Sequence, residues 1–165
     1  MKLSLITLAL LSIGLARAEE LSGLRHRDEY VALLRTLMPV RTAASAQMTL
    51  VKARLPELSS LEGLDAGYAQ NLLQYSFLHC ETRAVEESRG TNAGDEAAFF
   101  GAATAPADRV WVESLARRLW GRNVRSEEVS ALLKSAESMS DSVTLLARKT
   151  AVCALALAAP EIYLK

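Results

Sequence analysis

"DAGYAQNLLQYSFLHCETRAVEES" (residues 65–88) decides the fold class. Its apolar residues do not alternate, as a half-buried strand would require. Ala69, Leu72, Leu73, Ser76, Phe77, Cys80 and Ala84 recur at three- and four-residue spacing and keep to one face for about four helical turns. Asp65 is placed to cap the start, because a short carboxylate accepts hydrogen bonds from the free amides of the first turn. Glu81, Arg83, Glu86 and Glu87 read as the solvent side and the frayed end of this helix. "SRGTNAG" (88–94) breaks it, and "DEAAFFG" (95–101) is a short apolar link. The glycine-bearing stretch 88–105 is the candidate hinge of the chain.

The same spacing recurs on both sides. Tyr30, Leu33, Leu34 and Leu37 form a stripe ended by Pro39; Ala44, Met48, Val51 and Leu55 form one ended by Pro56. "ELSSLEGL" (57–64) is a loop. Pro106 suits the first turn of a following helix, which buries Val112, Leu115 and Leu119 beside Trp111 and closes at Gly121. Ser126 caps the next helix, whose start is complemented by Glu127 and Glu128 and whose stripe is Val129, Leu132, Leu133 and Ala136. "SMSDS" (138–142) turns the chain into a last helix near 142–158, which stops at Pro160. The expected fold is all-α, a single compact bundle of about six helices with loops short enough for antiparallel neighbours.

"MKLSLITLALLSIGLARA" (1–18) has the anatomy of a cleaved secretory signal: Lys2, an apolar run, then small residues at Ala16 and Ala18. The apolar run is about 13 residues, short of the roughly 20 that cross a bilayer. The expected mature domain is 19–165, periplasmic or secreted. The leader carries Lys2 and Arg17 and no acid, so 17 of the 19 basic side chains and all 19 acidic ones remain, a net charge near −2. Binders of nucleic acid carry a basic excess, so nucleic acid is not an expected partner. The apolar run in "AVCALALAAPEIYLK" (151–165) is about half the length of a membrane span and reads as core, so no span is expected after signal cleavage.

Cys80 lies on the apolar face of its helix, and Cys153 sits in a helix that reads as apolar all round. In an oxidising compartment the two are expected to form a disulfide, with two buried free thiols as the alternative. His79 diverges from Cys80 by about 100° on the helix and cannot pair with it side by side; a dyad through His26 is not selected by anything in the sequence. No haem-attachment, zinc, phosphate-loop or nucleophile-elbow spacing occurs, so no metal, cofactor or catalytic residue is assigned. The acid pairs at Glu86, Asp95 and Glu127 read as solvated. Arg118, Arg122 and Arg125, with Trp120 among them, form the candidate partner surface, since an aromatic beside arginines is typical of interface hot spots. The competing reading packs Trp120 on the next helix and leaves a mixed charged surface, with Glu113 paired to Arg117.

"ESLARRLWGRNVRSEEVSALL" (113–133) resembles the L-x-x-x-L-x-G-R-x-x-x-x-E-E signature of helical modules in secreted bacterial proteins. "VCALALAAPEIYLK" (152–165) resembles their Cys-bearing last helix and S-P-E-F ending, also found in planctomycete-type cytochrome-associated proteins. The helix pair is similar to the L-L-G-R pair of phycobilisome-linker-like extracellular domains. "ARLPELSSLEGLDAGYAQNLLQYSFLHC" (53–80) and "AAFFG" (97–101) extend the likeness over roughly 30–165. Ala159, Ile162 and Val124 stand where Ser, Phe and Pro are usual. These modules have no established activity, so the resemblance implies an exported helical module and no catalytic residue. The function expected is therefore an interaction or structural module of the cell envelope with an envelope or extracellular protein partner. The alternatives are a carrier of an apolar ligand or lipid, or a hydrolase of unrecognised type.

Overall fold

The helix expected over 65–88 runs from Ala66 to Ser88 in a computed structural model that describes residues 25–42, 45–55, 66–91, 98–102 and 104–163. The leader, Ala44, the 57–64 loop and Asp65 lie outside the described residues. In chain order the helices are α1 (Arg27–Leu37), α2 (Ala46–Arg54), α3 (Ala66–Ser88), α4 (Arg109–Trp120), α5 (Ser126–Glu137), α6 (Leu145–Leu157) and α7 (Pro160–Tyr163). Six helices of nine residues or more and one single turn thus make an all-α bundle, with no strand among the described residues.

Spacing sets the buried face of α3. Leu72, Ser76, Cys80 and Ala84 are buried, and Ala69 and Leu73 are half-buried. Phe77 is 37% exposed. At about 100° per residue it lies roughly 140° from Leu72, at the edge of the stripe.

α3 and α6 form the central pair, with α2 packed on α3 and with α4 and α5 packed on α6. The two central helices run antiparallel. At one end the Tyr30 hydroxyl meets Ser76 Oγ at 2.7 Å and the Leu157 carbonyl at 3.3 Å. At the other, Glu87 of α3 and Lys149 of α6 both bind Phe100. Midway, Cys80 and Cys153 form the disulfide, with Cα atoms 6.1 Å apart and both residues fully buried. Met38 lies against it, its Sδ 3.9 Å from Cys153 Sγ.

The helix starts depart from expectation by a few residues. α4 is capped by Asp108, whose carboxylate accepts from the Trp111 amide at 2.8 Å, so Pro106 lies outside the helix rather than in its first turn. α5 has Ser126 as its first helical residue; the cap position is Arg125, and its amide donates to Glu128 at 2.8 Å. That carboxylate satisfies the amide of the cap residue, a different donor from those a capping Ser126 hydroxyl would take. α6 begins at Leu145, later than 142, because the Thr144 hydroxyl accepts from the Ala147 amide. Gly121 closes α4 at φ +64°, as expected.

Pro160 does not end the folded chain. It opens α7, where its missing amide costs nothing, and that turn brings Ile162 to 2% exposure against α1 and α4. The carbonyls at the end of α6, which have no partner within the helix, are taken by the Trp120 indole at Ala156 (2.9 Å) and by Tyr30 at Leu157.

The Cys80–Cys153 link closes a loop of 73 residues. In the chain-entropy treatment such a loop is worth about 4 kcal/mol. Unreduced protein is therefore expected to take up no alkylating label under denaturing conditions, and two after reduction. The C80S/C153S variant is expected to lose about that stability in urea unfolding.

Candidate functional site

The last turns of α3 overturn the solvated reading. Arg83 is 1% exposed and Glu86 3%, and the Glu87 side chain is 6% exposed. Helical phase explains it: Arg83 lies within about 20° of Leu72, and Glu87 about 40° beyond Arg83. Both fall in the middle of the buried arc. Their polarity suggested a surface, but their positions continue the apolar stripe inward.

What they meet there is main chain. Glu86 Oε1 accepts from the amides of Arg41 (2.9 Å) and Thr42 (2.6 Å), in the connection after α1. Arg83 donates to the Pro39 carbonyl at 2.8 Å and pairs with Glu87 Oε1 at 2.9 Å. Glu87 in turn accepts from the amides of Phe99 (2.7 Å) and Phe100 (2.8 Å). His79 Nε2 sits 2.8 Å from the Met38 carbonyl. One side of α3 therefore holds two connecting segments that have no regular structure of their own.

The 98–102 segment is gripped from α4 and α6 as well. Lys149, 1% exposed, donates to the carbonyls of Phe100 (2.7 Å) and Ala102 (3.0 Å), with its Nζ 5.3 Å from the Trp111 ring centre. The Trp111 indole donates to the Phe99 carbonyl at 2.8 Å, and Arg118 to the Ala98 carbonyl at 2.9 Å. Two guanidinium groups lie against the Phe99 ring, Arg118 at 3.7 Å and Arg83 at 5.4 Å from its centre. Phe100 packs on Trp111 with ring centres 6.4 Å apart. The buried lysine corrects the expectation that the Cys153 helix is apolar all round.

The residues of the arginine–tryptophan edge are held in different ways. Trp120 is half-buried, packs on the core and is bonded to Ala156. Arg122 lies 4.9 Å above the Trp120 ring and holds Glu128 through two bonds of 2.9 and 2.7 Å. Glu128, read as solvated, is 8% exposed. Arg118 belongs to the Phe99 contact, and the Arg125 residue is exposed. Arg117 pairs with Glu113 at 2.7 Å, as expected from their spacing.

A partly open pocket of about 220 Å³ lies beside Glu86, lined by Arg41, Thr42, Val85, Arg89 and Thr91. It has a charged rim, unlike the apolar chamber of a lipid carrier. Among the described residues no three His, Cys, Asp or Glu side chains converge as metal ligands would. No protein family, curated protein or solved structure matches the chain.

Burial acts on these groups in opposite ways. Desolvation alone would raise the Glu86 carboxyl, but the hydrogen bonds from Thr42 and Arg41 and the Arg83 charge outweigh it and hold it below its ordinary value. Glu128 is likewise lowered: desolvation is overcome by Arg122 and the Arg125 amide. Burial lowers His79 despite its carbonyl partners, and burial lowers Lys149 against the pull of Asp108 and Glu87.

Two consequences are measurable. The lowered carboxyls stabilise the fold above their unfolded value of 4.5, and that contribution is lost as pH falls through the folded values. His79 is favoured neutral, so stability falls as pH drops below its unfolded value of 6.5. Urea unfolding from pH 8 to 3 is expected to show decline beginning near pH 6.5 and steepening below 4.5, with the upper limb absent in H79Q. Separately, E87A leaves Arg83 and two amides without their acceptor. It is expected to cost roughly 3–5 kcal/mol, as for breaking a buried pair from one side.

Proposed function

We propose that the chain is an exported helical interaction or structural module of the bacterial cell envelope. The observation that carries this reading is the Cys80–Cys153 disulfide at the centre of the core, which suits folding in an oxidising compartment. The signal-like sequence at 1–18 and the resemblance of 113–133 and 152–165 to modules of secreted proteins support the same compartment. No helix among the described residues is long and apolar enough to cross a membrane.

The partner is an envelope or extracellular protein, and the contact is the edge formed by Trp120, Arg118, Arg122 and Arg125. Arg122 and Arg118 are already fixed by Glu128 and Phe99, so binding on this edge would order fewer long side chains than a typical arginine surface. In-cell crosslinking with mass spectrometry in an exporting host is expected to capture a defined envelope protein. R125E is expected to reduce that capture at least about tenfold, equivalent to 1.4 kcal/mol. Capture of no envelope protein above background would end the interaction reading.

A further inference from the structure

We propose that the groove between α3, α4 and α6 is a peptide-recognition site. The chain's own 98–102 segment fills it, and a partner's segment of the pattern small–aromatic–aromatic–glycine, able to take the same bend, is its external ligand. This deepens the interaction reading by naming a second surface and the chemistry of what it takes.

Buried main chain is ordinarily satisfied within helices or sheets. Ala98–Ala102 uses neither. Six of its main-chain groups are held by four side chains: Arg118 at the Ala98 carbonyl, Glu87 at the amides of Phe99 and Phe100, Trp111 at the Phe99 carbonyl, and Lys149 at the carbonyls of Phe100 and Ala102, the last of which also accepts from the Ala105 amide. Each of these hosts is at least 12 residues away in sequence, and Lys149 is 49 residues from Phe100. The arrangement is that of a receptor holding a peptide: side chains grip a backbone that bends at Phe99 and Phe100 and turns at Gly101, and separate seats take the two consecutive rings.

The seats define the ligand. Phe99 has the Arg83 and Arg118 guanidinium groups against its ring, which selects an aromatic face over an aliphatic chain. Phe100, 1% exposed, lies on Trp111. Gly101 has φ +59° with open space around the missing Cβ, so glycine is wanted there for conformation and not for room. The disulfide ties α3 to α6, while α4 follows 98–102 in the chain and packs on α6. A tethered segment acts at an effective concentration of about millimolar, so an external ligand competes only when the internal one is weakened or displaced.

The test uses the full chain carrying F99A/F100A, which keeps every host side chain, and the synthetic peptide Ac-AAFFGA-amide. The expected result is saturable binding, read from the Trp111 indole N–H resonance and a raised Tm. Binding is expected at least about tenfold weaker to the wild-type chain, whose own segment competes, and absent for Ac-AAAAGA-amide. The F99A single variant, with Phe100 still seated, is expected to bind with intermediate strength. If either variant is helical by circular dichroism yet binds no peptide at millimolar concentration, the groove is no receptor. If both are unfolded and peptide restores nothing, 98–102 is ordinary core. In both cases the proposal is overturned. A partner captured through the Trp120 edge would leave the interaction reading standing, so the two failures are distinguishable.

Discussion

The close approach of α3 and α6 is the constraint on which the rest of this protein depends. A disulfide with Cα atoms 6.1 Å apart requires small side chains along the contact. Ser76, Cys80 and Ala84 on one helix and Cys153, Ala154 and Ala156 on the other meet that requirement, all buried. Small residues bring backbones close but remove little apolar surface per residue, so the pair cannot stabilise itself by burial alone. Larger side chains come from the pair's own flanks, with Leu72, Tyr75 and Leu157, and from the surrounding helices: Tyr30, Leu34 and Met38 from α1 and its end, Val112, Leu115 and Leu119 from α4, Val129 and Leu132 from α5. Antiparallel direction then gives the pair two unlike ends, one closed by Tyr30 and the other by charged residues.

The charged end follows from what closes it. A segment without regular structure can be buried only if its amides and carbonyls find partners, and neighbouring helices can supply those only from side chains. Carboxylates suit the amides and cations suit the carbonyls, which is the distribution found: Glu86 and Glu87 on amides, Arg83 and Lys149 on carbonyls. Lys149 is the costliest of these, since its direct partners are neutral carbonyls and the π face of Trp111. The Glu87 charge, held by the same Phe100 peptide, offsets part of that cost.

The helices themselves were legible because apolar periodicity alone locates them. Leu72, Cys80 and Ala84, or Val129, Leu132 and Ala136, occupy the buried faces their spacing assigns. The disulfide was legible for the same reason, from the phase of Cys80 within its stripe. The polar interior was misread because residue type was allowed to override phase. Arg83 and Glu87 sit three and seven residues after Cys80, on its own face, and that spacing was the available signal. Lys149, four residues before Cys153, carried the same signal of phase, although its partners lie 47 and 49 residues away. The stop expected at Pro160 is met, since α6 ends at Leu157, but nothing local showed that Pro160 also begins a further turn that buries Ile162.

Buried ionisable groups with shifted pKa values often mark active sites, and the direction of the shifts bears on that inference here. A general acid needs a carboxyl raised toward neutrality by desolvation, with its proton accessible to substrate. Glu86 and Glu128 have moved the other way, because amides and guanidinium groups stabilise their charged forms more than burial penalises them. Lys149 is lowered, as a nucleophilic amine would be, but its ammonium donates to two carbonyls and sits at 1% exposure. Deprotonation would leave at least one of those buried carbonyls short of a strong donor, so the bonds that seat 98–102 oppose the free amine. The same atoms cannot hold that segment in place and act on a substrate. Among the shifted groups, Glu86, His79, Arg118 and Lys149 hold the main chain of connecting segments.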